Sequence, residues 1–104
     1  MQSLKKGKYN KMIKSFKCKE TAEIFKRISS KKFPQEIFRR AFVKLHSIDV
    51  ANDILDLKCP PSNYLETLKG DRSGQYSIRI NNKWRICFVW DGNNACDVEI
   101  VDYH

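Results

Sequence analysis

The stretch Tyr76-Ser-Ile-Arg-Ile-Asn-Asn-Lys-Trp-Arg-Ile-Cys-Phe-Val-Trp90 decides the fold. Tyr76, Ile78 and Ile80 alternate with polar residues, and Trp84, Ile86, Phe88 and Trp90 do the same further on. That period of two marks two strands, each with one apolar face. Both apolar sets share a core-side face only if paired residues have an even sum. A two-residue turn at Asn81-Asn82 breaks this condition. A three-residue loop, Asn81-Asn82-Lys83, satisfies it and sets Ile80 against Trp84. Arg79 then stands opposite Arg85 on the other face of the sheet. Like charges directly opposed across strands repel, so truncating Arg85 is expected to spare the fold or stabilise it slightly. An anion between the two guanidiniums reverses the repulsion and points to a phosphate site. The plainer alternative is a solvated face carrying two unremarkable arginines.

Outward from this hairpin, Asp91-Gly92-Asn93-Asn94 reads as a turn, and Val98 and Ile100 carry the alternation into a last strand. Registers that keep those two residues in the core put Tyr103 on the Arg85 side. Upstream, Tyr64–Leu68 reads as a short strand ended by Gly70, and 49–63 as a connector closed by Pro60-Pro61. Ile37, Phe38, Ala41, Phe42, Leu45 and Ile48 form one side of a helix entered through Pro34, with Arg39 and Arg40 on the other side. Ala22, Ile24, Phe25 and Ile28 give an earlier helix over 19–28. Residues 12–16 roughly alternate and predict a short strand. Residues 1–11 are Lys-rich without periodicity and are expected to form a flexible basic extension before a domain spanning 12–104. The expected fold class is therefore α+β, with two N-terminal helices packed on one face of a small, mainly antiparallel sheet.

The chain's 104 residues suit one domain, and an apolar fraction of 41% suits one core. No apolar run is long enough to span a bilayer, and no apolar signal core follows the basic start. A cytoplasmic protein with no membrane partner is expected. Charge is unevenly spread. Residues 1–44 hold 14 Lys/Arg against 3 Asp/Glu, whereas 45–104 hold 6 against 9. Such a basic half suits a polyanion, nucleic acid above all, or is simply a solvated face. Cys18, Cys59, Cys87 and Cys96 form no CxxC pair and stand at no zinc-ligand spacing from His46 or His104, so no metal or cofactor is expected. In a reducing compartment these thiols stay free. His46, at the edge of the second helix's stripe, reads as a boundary residue. His104 follows Tyr103 beside the arginine cluster, and histidine suits proton transfer near neutral pH.

Three stretches resemble a known family: "MIKSFKCKETAEIF" from Met12, "CPPSNYLETLKGDRSGQYSIRINNKWRICFVW" from Cys59 and the terminal "VEIVDYH". They are similar to the HigB toxins of bacterial type II toxin–antitoxin modules, within the RelE-like superfamily. The resemblance implies a RelE-like fold and a ribosome-dependent mRNA endonuclease. Such an enzyme cuts mRNA in the A site of the 70S ribosome by metal-independent attack of the ribose 2′-OH, which stops translation and growth. It implies a helix-turn-helix antitoxin of the HigA type as partner, with operator DNA reached only through that complex. Arg85 matches the arginine of the family's "WR" and Lys69 the lysine of its "LKG", both as phosphate stabilisers. Asp102, Tyr103 and His104 match the terminal catalytic stretch. Some members carry histidine where "LETLKG" places Glu66, which makes Glu66 a competing base. Arg79, Arg72, Lys83, Arg39 and Arg40 are expected RNA contacts. The alternative is a non-catalytic nucleic-acid-binding module, or an inactive toxin paralogue acting with its antitoxin in operon autoregulation.

Overall fold

The computed structural model describes residues 13–102. The extension expected over 1–11, together with Met12, Tyr103 and His104, lies outside the described residues. Two α-helices, α1 (Lys19–Phe25) and α2 (Phe38–Val50), precede four strands: β1 (Glu66–Thr67), β2 (Gln75–Arg79), β3 (Trp84–Asp91) and β4 (Asn94–Asp102). The sheet order is β1-β2-β3-β4, and each neighbouring pair is antiparallel. Short 3₁₀ turns fill the rest at Gln35–Ile37, Ile54–Lys58, Pro61–Asn63 and Gly70–Arg72. Among the described residues, no helix is long and apolar enough to cross a membrane.

The β2–β3 hairpin has the register that the alternation demands. Tyr76 pairs with Phe88, Ile78 with Ile86, and Arg79 with Arg85. Ile80 N donates to the Trp84 carbonyl (2.8 Å) across the three-residue loop. Asn81 holds that loop, because its Oδ1 accepts from both Lys83 N (2.9 Å) and Trp84 N (2.8 Å). Asparagine suits such a turn, since its side chain reaches backbone donors two and three residues on.

On β4 the alternation changes phase. Ala95 is buried, and so are Val98 and Ile100, which a strict period of two forbids. The pairing shifts between Cys87↔Glu99 and Val89↔Cys96, so β4 carries one extra residue opposite Phe88. Asp97 lies within that bulge with φ +53°, a left-handed conformation that aspartate tolerates better than most residues.

The strand expected over 12–16 is present only as two isolated parallel bridges, Ile13↔Ala95 and Phe16↔Val98. Backbone bonds from Lys14 N to Ala95 O (2.8 Å) and from Lys17 N to Val98 O (2.9 Å) hold it against β4. The bulge interrupts the ladder between them, and there Ser15 Oγ accepts from Asp97 N (2.9 Å).

In α2 the buried positions Ala41, Leu45 and Ile48 are the expected stripe, preceded by buried Ile37 in the 3₁₀ turn. The earlier helix is shorter than its periodicity suggests. It stops at Phe25 because Arg27 takes φ +65°, and Ile28 N turns back to the Glu23 carbonyl (2.7 Å). That is a Schellman-type end made without glycine. Ile28 is consequently exposed, while Thr21 and Ile24 are buried. Thr21 Oγ1 accepts from Ile100 N (3.0 Å), which ties α1 to β4. One apolar cluster joins Ile24 of α1 and Ala41, Leu45 and Ile48 of α2 to Ile78, Ile86, Phe88, Val98 and Ile100 of the sheet.

The 49–63 connector is more ordered than its Pro-Pro end implies. Asp53 caps the turn after it, accepting from Leu55 N (2.8 Å), and Asp56 Oδ2 accepts from Asp53 N (3.2 Å) in return. Leu57 and Asn63 are buried. The Asn63 side-chain amide donates to the carbonyls of Leu57 (3.1 Å) and Cys59 (3.2 Å), and its oxygen accepts from Lys44 Nζ. This one residue pegs the 57–64 segment to α2.

Candidate functional site

Arg85 projects from β3 on the face that carries Ser77 and Cys87, opposite the apolar set. That face is covered too: Ser77, Arg85 and Cys87 are all buried. Arg85 is only 5% exposed. A buried guanidinium needs its donors satisfied. Its Nε donates to Ser77 Oγ (2.8 Å), and its Nη2 donates to the carbonyls of Tyr64 (2.6 Å) and Ser77 (3.3 Å). Glu66 Oε1 lies 3.5 Å from Nη2 and compensates the charge, with about half of the Glu66 side chain exposed. The guanidinium is thereby fixed in position beside a carboxylate at the surface.

The bare arginine pair expected from the register does not form. Arg79 is opposite Arg85 in the ladder, but each guanidinium has its own partners. Arg79 donates to Asn82 Oδ1 and lies 5.0 Å from the centre of the Tyr64 ring. Tyr64 thus touches both arginines, one through its carbonyl and the other through its ring. It does so in a left-handed conformation, φ +46°, directly after the peg at Asn63.

The remaining candidates are distributed around this centre. Lys69 and Glu66 line one shallow groove along 65–69, and both are exposed. Arg72 is turned away from it. Its Nη1 donates to Glu99 Oε2 (2.9 Å) and Gln75 Oε1 (3.1 Å). The Glu99 hydrogen bond holds the Arg72 pKa above its ordinary value. Lys83 Nζ lies 3.6 Å from Asp102 Oδ2. Arg40 donates to the Ile80 carbonyl (3.2 Å), so it reaches the β2–β3 loop. Arg39 lines a separate apolar cleft with Arg27 and Phe42. His46 stacks on Phe25 at 4.3 Å and lies 4.4 Å from the Phe42 ring, consistent with a boundary residue. Burial pushes the Cys87 thiol above its usual pKa, which keeps it protonated and a poor nucleophile. Tyr103 and His104 lie outside the described residues.

A family model described as the RelE-like toxin HigB of type II toxin–antitoxin systems matches residues 14–104. The chain belongs to the HigB-like toxins. The protein named Endoribonuclease HigB from Proteus vulgaris is 36% identical to this HigB-like chain over 93 residues, covering 89% of the chain and all of that relative. Toxin HigB-1 of Vibrio cholerae serotype O1 is 40% identical over 57 residues, 55% of this chain and 60% of that protein. A chain of the YoeB-YefM complex from Staphylococcus aureus superposes with a TM-score of 0.56, covering 88% of this chain and 97% of its own. At 22% identity that likeness is one of fold.

Within this HigB-like domain the structure brings together Arg85, Glu66 and Arg79, while Arg72 is bound to Glu99 and Gln75 and Arg39 lies among the residues lining the clefts along α2. It also brings in three residues that sequence reasoning passed over: Ser77, Asn63 and Tyr64. Ser77 carried a readable signal, since it occupies the position opposite Cys87, next to Arg85 on the same face. Asn63 and Tyr64 carried none beyond following two prolines.

Proposed function

We propose that this HigB-like toxin is an endoribonuclease that cuts mRNA in the ribosomal A site. The carrying observation is Arg85, buried and held by Ser77 and the Tyr64 carbonyl within 3.5 Å of Glu66. A cation fixed before the reaction begins costs no reorganisation when charge develops on phosphate. In the proposed step the ribose 2′-oxygen attacks the adjacent phosphorus. The 2′-OH proton passes to a base and the 5′-oxygen leaves with a proton from an acid. The products are a 2′,3′-cyclic phosphate and a 5′-hydroxyl end, and no metal takes part. Arg85 and Lys69 stabilise the phosphorane. His104, Tyr103 and Glu66 supply the proton-transfer groups, with His104 as the leading one, and Asp102 belongs to the same terminal catalytic stretch. Arg79, Arg72, Lys83, Arg39 and Arg40 contact RNA. The relative named as an endoribonuclease, matched over its full length, supports this reading.

The proposed setting is the cytoplasm, and the proposed partner an antitoxin of the HigA type. The proposed architecture has both helices on one sheet face and the domain spanning 12–104. The deciding experiment maps 5′-hydroxyl ends on mRNA in a reconstituted translation reaction. Ends at A-site codons that depend on ribosomes support the proposal. Their absence, with soluble folded protein, overturns it. Single-turnover rates of His104→Ala and Glu66→Ala against pH assign the base. The variant of the true base is expected to lose about 10²- to 10⁴-fold.

A further inference from the structure

A cavity of about 470 Å³ opens where α2 meets the loop between β2 and β3. Arg40 and Lys44 line it from α2, Arg79 from the end of β2, and Asn81 and Asn82 from the loop, with Tyr64 beside them. Among the described residues the three cations have neutral acceptors: the Ile80 carbonyl for Arg40, Asn63 Oδ1 for Lys44 and Asn82 Oδ1 for Arg79. Among the described residues, none of the three lies within 4.0 Å of a carboxylate. Burial, and then the neighbouring Arg40 charge, push the Lys44 pKa below its ordinary value. An anion in the cavity offsets both effects.

Tyr64 adds what a small anion does not need. The residue is 56% exposed, and the Arg79 guanidinium sits over its ring. An exposed aromatic plane beside a cluster of cations is the combination by which proteins hold single-stranded nucleic acid, with the base on the ring and the phosphate on the cations. The same residue ties the cavity to the buried arginine, because its carbonyl accepts from Arg85 Nη2 at 2.6 Å. A strand lying across Arg85 therefore meets Tyr64 as the adjoining surface.

We infer that this cavity is a nucleotide subsite for single-stranded RNA, its phosphate held by Arg40, Lys44 and Arg79 and its base stacked on Tyr64. The occupant is the nucleotide flanking the one at Arg85. The identity of the strand rests on the endonuclease reading; the chemistry of the cavity does not.

The test titrates the full chain with a short single-stranded RNA, 2′-O-methylated throughout so that it is not cut, and follows the amide spectrum. The Tyr64, Asn81 and Asn82 amides are expected to shift together. Tyr64→Asn suits the left-handed backbone and lacks the ring; it should weaken binding about 10-fold, whereas Tyr64→Phe should bind as the wild type does. Arg79→Gln and Arg40→Gln should each lower the log–log salt slope by up to about 0.7. A strand with an abasic position beside its central phosphate should lose as much as Tyr64→Asn does, and the two losses should not add. Four results overturn the subsite: no shift at those amides in the wild type, equal binding by Tyr64→Asn and Tyr64→Phe, additive losses, or inorganic phosphate binding as tightly as the strand. If the titration behaves as expected but translated mRNA is not cut, the subsite stands and the endonuclease reading falls. Normal cleavage with any overturning titration removes the subsite and leaves the enzyme.

Discussion

The two faces of the central hairpin are both buried, but by different means. One carries Ile78, Ile86 and Phe88 into the apolar cluster that also holds Ile24, Ala41, Leu45 and Ile48. The other carries Ser77, Arg85 and Cys87, and there Arg85 makes three hydrogen bonds, two to Ser77 and one to the Tyr64 carbonyl. The first face tolerates any group of suitable shape. The second must satisfy every donor it encloses. A fixed guanidinium at the edge of a half-exposed carboxylate comes from the second kind of burial, and the first kind supports it from beneath.

The contrast breaks most visibly at Phe88, which is fully buried. Phe88→Ala is expected to cost about 3–5 kcal/mol in chemical denaturation. A loss under about 1 kcal/mol would move the fold's stability elsewhere. Arg85→Ala comes next. Its cleavage should fall by about 10²-fold or more. Its stability should fall by about 1–3 kcal/mol, since Ser77 and the Tyr64 carbonyl lose their donor. This reverses the gain that opposed arginines suggest from sequence. A higher melting temperature for this variant would restore the repulsion argument.

Asn63→Ala probes whether the polar cover is held from outside. It removes both donors and the acceptor for Lys44. A destabilisation of about 1–2 kcal/mol is expected from the lost buried bonds. The cleavage rate should fall with it, because Tyr64 follows directly and holds Arg85. Unchanged cleavage in the folded variant would detach the peg from the site. The smallest effect is expected from Arg72→Gln, whose partly exposed pair with Glu99 is worth at most about 1 kcal/mol and weakens in salt. A salt-independent loss larger than that would make Arg72 part of the cover.

The hairpin register, its three-residue loop, the Arg79–Arg85 juxtaposition and the α2 stripe were all legible, because each follows from a period and a parity. Alternation says which residues share a face. It does not say whether that face is covered. Arg85 is met by Tyr64 and Glu66, which stand just past a stretch that reads as a connector over 49–63, because prolines interrupt it and no period runs through it. Its order rests on a buried amide, Asn63, whose three partners are four to nineteen residues away. The left-handed turns at Arg27, Tyr64 and Asp97 were illegible for a related reason: none is glycine, the residue that usually announces them. Of the residues named from motif position, Arg85 is held on the hairpin by three hydrogen bonds, whereas Lys69 stands exposed in the groove along 65–69.

The extra residue in β4 has a genetic corollary. Side chains on either side of Asp97 obey opposite parities, so the strand's tail is in a different phase from its head. Insertions and deletions act on such a sheet as a frameshift acts on a message, and Asp97 is the one inserted letter. Deleting its codon would restore a plain alternation, with Ala95, Val98 and Ile100 still on the core side and Glu99 still opposite Cys87. Deleting Glu99 instead, with the bulge kept, would exchange the faces of every later residue and turn Ile100 from the core. Substitutions alter one position at a time and leave the phase intact. A library of single deletions across 94–102 should therefore tolerate the loss of Asp97 better than the loss of any residue from 98 to 100.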